Sequence, residues 1–347
     1  MKSIVVTRYG APDVLELQER PDPAPAAGEV MVLVHAAGIN FADILMRLGY
    51  YMGVPKPPFT LGLEAAGVVE TVGGGVAQPR AGDRVAVLRP GGCYAERVVV
   101  PAAQAIPLPA AMSFEEAAAL PVNYLTVYQA LRHMATLRPG ERLLIHAAAG
   151  GVGLAAIQLA KLVGAEIFGT ASASKHDFLR QQGVHHCIDY RTQDFEEAVR
   201  GLTSGEGVDV ILDAVGGASY RKSYRLLRQG GRLICFGMSS AVVGKGRSLR
   251  ALKEWWNAPS FNPLDMIGKN RIVLGLHLGP MAKAHPELIF AWTQELFRLY
   301  AEGKIKPHIG ATFALGEAAA AHHYIHERRN VGKVLLIPEA VTGGRLS

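Results

Sequence analysis

Cysteine is scarce: Cys93, Cys187 and Cys235 are the only three in 347 residues, they lie far apart, and none belongs to a CxxC pair. An odd count without such spacing argues against a disulfide framework and for a reducing compartment, so a cytoplasmic location is expected. Runs of Lys and Arg are lacking as well. The net charge of +6 comes from scattered residues, which leaves no patch for nucleic acid, and the same balance suits an anionic cofactor. The first residues, MKSIVVTRYG, lack an apolar core leading to a small-residue cleavage site, so no export signal is visible. Internal repeats and low-complexity tracts do not stand out. A membrane span has one stretch in its favour, the uncharged run of 18 residues from Leu143 to Ala160. His146, Gln158 and a glycine cluster interrupt it and suit a strand, a turn and a helix better, so no transmembrane segment is expected.

What is present is an ordinary globular balance, 49% hydrophobic and 19% charged, in a chain long enough for two domains. The stretch that organises it is Arg142 to Ala165. It reads as an apolar strand from Arg142 to Ala147, a small-residue turn of Ala148, Ala149, Gly150 and Gly151, and an apolar helix ending near Gly164. The pattern Ala148-x-Gly150-x-x-Gly153 is the dinucleotide-binding fingerprint with alanine at its first glycine. Such a turn lets the backbone approach a pyrophosphate, and the amides opening the helix, at Gly151, Val152 and Gly153, would face that anion. Glycine turns are common, but the position between a buried strand and a helix favours the cofactor.

Before this stretch the chain is rich in Val, Gly and Pro. Glu29 to His35, Ala65 to Thr71, Arg84 to Leu88 and Ala95 to Val100 read as strands of an all-β unit. At Ser113 the character changes, because Ser113 with Glu116 forms a capping-box pattern ahead of an alanine-rich helix. After the fingerprint, short apolar runs at Glu166 to Ala171, Cys187 to Tyr190, Val208 to Val215, Arg232 to Gly237 and Arg271 to Leu278 alternate with helical patterns, which predicts a parallel sheet. An insertion from Ala241 to Lys269, with Trp255, Trp256 and Phe261, reads mainly as packing. The last strand, Gly332 to Pro338, is expected to return to the first domain.

These motifs together make the chain similar to a medium-chain dehydrogenase/reductase over nearly its whole length, and in particular to the zinc-free quinone oxidoreductases and the homologues of vesicle amine transport protein. The residues that carry the resemblance are Ala37 to Asp43 (AGINFAD), Gly62 to Gly67 (GLEAAG), Gly82 to Val85 (GDRV), Asn123 to Tyr128 (NYLTVY), the fingerprint, Gly169 to His176 (GTASASKH), Trp255-Trp256-Asn257 and Asn330 to Lys333 (NVGK). The resemblance implies an α/β protein with a GroES-like β-rich catalytic domain, residues 1–120 and 281–347, and a doubly wound Rossmann domain, residues 121–280. It also implies a homodimer, formed through the edge strand Arg271 to Leu278.

The positions that bind catalytic zinc in related enzymes correspond here to Asn40, Leu63 and Val122, so no metal is expected. His322, His323 and His326 offer an i, i+4 pair but read as surface residues. NAD enzymes place an acidic residue about 20 positions beyond the fingerprint to bind the ribose 2′-hydroxyl. Here Ser172 stands nineteen after Gly153, with Lys175 three further on. A small hydroxyl beside a lysine accepts a 2′-phosphate, so the cofactor is expected to be NADPH, and the resemblance adds Tyr190 to the phosphate site. Without a metal, hydride delivery to an electron-poor carbon remains, which points to a quinone or an α,β-unsaturated carbonyl. The resemblance implies Asn40 and Tyr51 as the polar groups near the nicotinamide, Tyr51 as a proton or hydrogen-bond donor, and Thr126 against the ring. It makes Asp43 structural and Glu64 a support behind the site. Gly237 would let the cofactor lie on a strand end, and Asn330 with Lys333 would close the cofactor cleft, although a lysine in a final strand is also an ordinary exposed residue. The competing reading is an NADPH-bound accessory to membrane or lipid trafficking.

Overall fold

The computed structural model describes residues 1–242, 254 and 256–339. They fall into two units, residues 1–122 with 282–339, and residues 123–242 with 254 and 256–281.

The first unit is built on β3 (Glu29–Ile39), an almost unbroken apolar strand of 11 residues. Before it come β1 (Lys2–Val6) and β2 (Leu15–Glu19); after it come β4 (Phe59–Thr60), β5 (Glu64–Val72), β6 (Arg84–Leu88), β7 (Arg97–Pro101) and β8 (Ala105–Pro107). β1 lies between β2 and β4 in a small antiparallel sheet. β5 runs along one edge of β3, with register shifts at Met31/Val32 and Val34/Ala36. Such bulges bend a strand. β7 pairs with its first half, Glu29 to Leu33. Helix α1 (Phe41–Leu48) follows β3 at once, and α2 (Phe114–Ala119) opens with the capping box expected from Ser113 and Glu116. Buried Ala117, Ala118 and Ala119 bring α2 against β3 and β5. Next comes α3 (Pro121–Tyr128), continued by a π-helical turn over Gln129–Met134.

The second unit is a six-stranded sheet. Its strands are β9 (Arg142–Ile145), β10 (Glu166–Ala171), β11 (His186–Asp189), β12 (Val208–Asp213), β13 (Leu227–Cys235) and β14 (Ile272–Gly275), in the order β11-β10-β9-β12-β13-β14, with every pair parallel. The order reverses between β9 and β12, and ligands of such sheets bind beyond the carboxyl ends at that reversal. Helices α4 (Gly151–Val163), α5 (His176–Gln182), α6 (Phe195–Leu202) and α7 (Ala218–Leu226) connect the strands. α4 ends at Gly164 in the left-handed conformation, φ 82°, which glycine adopts without a Cβ clash.

Three expectations need correction here. β13 begins at Leu227, earlier than Arg232, because Leu227 joins the ladder to Val208 across a bulge. The strand expected over Arg271 to Leu278 is only Ile272–Gly275, and Leu278 opens a helix, Leu278–Ala284. The aromatic insertion does not simply pack. Phe261 lies on the core of Leu144, Phe168 and Leu233, but Trp256 is 86% exposed, and Trp255 lies outside the described residues.

The chain then supplies β15 (Ile309–Ala314) and β16 (Lys333–Ile337) to the first unit. β16 pairs with Ala37 to Ile39 of β3, so the final strand does return to the N-terminal sheet. The helix Ala318–His326 lies between them in sequence. His322 on it is fully buried, with Nε2 3.4 Å from the Tyr94 hydroxyl, and is therefore not the surface residue expected.

Candidate functional site

In the second unit the fingerprint forms the turn from β9 into α4. Ala147 sits at φ 54°, a left-handed conformation unusual for a residue with a side chain. Gly153 is required by space: a Cβ there would stand 2.6 Å from the Ala148 carbonyl carbon and 2.7 Å from the Ala147 oxygen. Gly150 is the N-cap, and no side chain caps this helix. By contrast, Ser113, Asp194 and Asn262 each cap their own helix with a side-chain oxygen. The first amides of an α-helix have no partner within it, so those of Gly151, Val152 and Gly153 form a donor cradle that no side chain among the described residues caps, at the carboxyl end of the central strand. That arrangement fits a pyrophosphate.

Beyond β10, Ser172 is buried, its hydroxyl 3.3 Å from that of Ser174, and its carbonyl accepts from the Lys175 amide at 2.9 Å. Lys175 is half-buried and Tyr190, just past β11, is exposed. No carboxylate occupies the Ser172 position. Gly237 lies just past β13, where a Cβ would stand 2.7 Å from the Ala214 carbonyl oxygen. Thr126, on α3, is buried.

In the first unit Asn40, Glu64 and Lys333 form one buried network. Asn40 caps α1: its backbone N–H donates to Asp43 Oδ2 at 2.8 Å. Its side-chain Nδ2 donates to Glu64 Oε1 at 2.8 Å, and its Oδ1 accepts from Lys333 Nζ at 2.7 Å. Lys333 also bonds Glu64 Oε1, and Glu64 Oε2 accepts from the Val122 amide at 2.7 Å. Glu64 and Lys333 are 0% and 3% exposed, so this is a charge pair inside the core. Gly38 makes room for it, since a Cβ there would stand 2.7 Å from both Glu64 Oε1 and Lys333 Cε. Lys333 is thus not an exposed strand residue. Asn40, expected to orient substrate or cofactor directly, has its carboxamide engaged at both ends by Lys333 and Glu64. Asn330 is half-buried, with Nδ2 3.3 Å from the Gly332 carbonyl.

Asp43 is fully buried, and burial pushes its carboxyl up to about 7 despite the bond from Asn40 N–H. Tyr51 is half-buried. Burial, with a smaller push from Asp43, raises its hydroxyl to about 12, so it stays protonated at neutral pH. The positions of zinc ligands in related enzymes are poor donors here. Asn40 Oδ1 already faces an ammonium that would repel a dication, Leu63 has no donor atom, and among the described residues no cluster of three His, Cys, Asp or Glu could hold a metal.

A third constellation was not read from the sequence. His146, Thr170, Asp213 and Ser223 are all buried just beneath the cradle. The available signal was a polar residue ending an otherwise apolar strand, as in LLIH and VILD.

A β-rich unit with a final strand returning to it, together with a doubly wound parallel sheet carrying a dinucleotide cradle, defines a medium-chain dehydrogenase/reductase. Comparison with known proteins agrees. Residues 26–110 match the alcohol dehydrogenase GroES-like domain, and residues 182–336 match a family described as zinc-binding dehydrogenase. The chain is 44% identical to the synaptic vesicle membrane protein VAT-1 homolog of Rattus norvegicus, over 97% of this chain and 84% of that protein. Escherichia coli quinone oxidoreductase complexed with NADPH is 36% identical, with a TM-score of 0.85 over 97% of this chain and all 100% of the other. CurK enoyl reductase is 33% identical, with a TM-score of 0.84 over 97% and 99%. The chain belongs to the medium-chain dehydrogenase/reductase superfamily of oxidoreductases, among the quinone oxidoreductases and homologues of vesicle amine transport protein.

Proposed function

We propose that this protein is a zinc-independent, NADPH-dependent reductase that delivers hydride to a quinone or an α,β-unsaturated carbonyl. The observation that carries the proposal is the uncapped amino end of α4 at the sheet reversal, with Ser172 and Lys175 where an acidic residue would select NAD. The amides of Gly151, Val152 and Gly153, in the turn begun by Ala148 and Gly150, would hold the pyrophosphate. Ser172, Lys175 and Tyr190 would hold the 2′-phosphate, and Gly237 would leave space for the cofactor along the strand end. Bound NADPH would supply the hydride. Tyr51, protonated at working pH, would donate a hydrogen bond or a proton to the substrate oxygen as charge gathers there. Thr126 would bear on the nicotinamide. Asn40 would act through its fixed orientation, Lys333 would be part of what fixes it, and Asn330 would contact the cofactor. Zinc independence is supported by the lack of any donor atom on the Leu63 and Val122 side chains and by the Lys333 ammonium facing Asn40 Oδ1, and hydride transfer to a conjugated acceptor does without Lewis acidity because the developing charge is delocalised.

In this reading residues 1–120 with 281–347 are the catalytic domain and residues 121–280 bind NADPH. Homodimerisation through β14 is supported by its place at the edge of the sheet. Gel filtration at working concentration checks it, and a monomer would refute it. The function is tested by adding NADPH with quinones and enones: oxidation of NADPH with a conjugated acceptor supports it, and silence across the panel refutes it.

A second reading, a membrane or lipid-trafficking accessory, is supported by exposed apolar side chains, Trp256 at 86%, Leu264 at 76% and Ile267 at 75%. Liposome co-sedimentation separates the two, since a reductase without a membrane role stays in the supernatant.

A further inference from the structure

Beneath the cradle, four buried side chains form a chain of hydrogen bonds whose proton directions can be worked out. Asp213, at the end of β12, has a carboxylate that only accepts. Its Oδ1 takes the Val215 amide at 2.8 Å and the Gly216 amide at 3.2 Å; its Oδ2 takes the hydroxyls of Ser219 at 2.8 Å and Ser223 at 2.7 Å. Ser223 has thereby spent its proton, so its oxygen accepts from His146 Nε2–H at 3.1 Å. On the other ring face Thr170 Oγ1 accepts from the Ala147 amide at 3.3 Å and lies 3.2 Å from His146 Nδ1. With Nε2 bearing the proton of the neutral ring, Nδ1 accepts the Thr170 hydroxyl. Burial keeps the imidazole neutral, lowering its pKa against the pull of Asp213.

The order therefore runs from Ala147 N–H to Thr170, to His146, to Ser223 and to Asp213, which in turn holds the Val215 and Gly216 amides. One end is the left-handed residue that opens the cofactor turn. The other is the turn after β12, across the sheet reversal, where Gly216 and Gly217 sit at φ 77° and 57°. We propose that His146 is a positioning residue that locks these two turns together, holding the cradle backbone in its pyrophosphate-binding shape before the ligand arrives. The link between the turns stands on the structure alone; its consequence for NADPH rests on the function proposed above.

The test uses the full chain with two substitutions. Leucine at His146 removes both bonds, whereas glutamine can still donate from one atom and accept on the other. Hydrogen exchange is followed over residues 145–153 and 213–220, with β16 as the control. In His146→Leu both segments are expected to exchange faster together, by about tenfold or more, with β16 unchanged, and His146→Gln is expected to restore protection. The dissociation constant for NADPH should rise by about tenfold in His146→Leu and recover in His146→Gln, while 2′-AMP, which carries no pyrophosphate, binds all forms alike. Faster exchange in one segment alone, or in neither, overturns the link. Faster exchange in both with unchanged NADPH affinity overturns the positioning role. Wild-type protein that binds no NADPH while the two segments remain linked refutes the cofactor reading and leaves the link standing.

Discussion

A lysine ammonium and two carboxyl groups are held out of water in the first unit: Lys333 is paired with Glu64, and Asp43 keeps its proton up to about pH 7. Removing one member of a buried pair strands the other, at a cost of about 3–5 kcal/mol, whereas removing both charges is often close to neutral. Lys333→Met is therefore expected to destabilise the protein by about that amount, and Lys333→Met with Glu64→Gln to recover most of it. Urea denaturation measures both. Asp43 acts differently. With its folded carboxyl raised to about 7, the native state keeps a proton that the unfolded chain has released. Its contribution is full below about pH 4 and is lost as pH rises through about 7. Stability should accordingly fall less between about pH 5 and about pH 8 in Asp43→Asn than in the wild type, and an unchanged fall would mean that Asp43 is ionised throughout. The sequence could name Asn40, Glu64 and Asp43 because they lie in recognisable motifs. It could not show that Lys333 joins them, since a lysine opening a strand looks the same whether its ammonium meets water or a carboxylate nearly 270 residues away, at |i−j| = 269. His322 was misread for the same reason: it is buried and meets the Tyr94 hydroxyl, which is distant in the chain.

At the scale of elements, local signals were the most legible. The Ser113 and Glu116 pattern is a complete capping box, with the Glu116 amide donating to Ser113 Oγ at 3.1 Å and the Ser113 amide donating to Glu116 Oε2 at 3.1 Å. Ser113→Ala is expected to cost about 1 kcal/mol, readable as a shift in the denaturation midpoint. Strand β6 matches its expected bounds residue for residue, and so does β10, whose run is apolar because a strand inside a parallel sheet is covered on both faces. β13 was read too short, since Arg228, Gln229, Gly230 and Gly231 carry no apolar pattern and form a bulge between two ladder pairs, Leu227 with Val208 and Arg232 with Val210. In the proposed function the turn after β10 would carry the cofactor choice. A carboxylate at Ser172 would repel a 2′-phosphate and accept from a ribose hydroxyl, so Ser172→Asp is expected to weaken NADPH by about tenfold or more and to strengthen NADH. Paired fluorescence titrations decide it, and an unchanged preference would place the phosphate elsewhere.

For the molecule as a whole, the proposed function assigns a separate task to each unit. A cradle of helix amides suits the cofactor, and a set of polar groups anchored by a buried ion pair suits a conjugated acceptor. None of the described helices is long and apolar enough to cross a membrane. The most direct measurement is a paired titration of the full chain with NADPH and NADH, followed by NADPH oxidation with quinones and enones. Tight, selective NADPH binding with turnover of a conjugated acceptor is the expected result. A preference for NADH would contradict the reading of Ser172 and Lys175, and tight NADPH binding with no turnover on any acceptor would contradict the reductase itself.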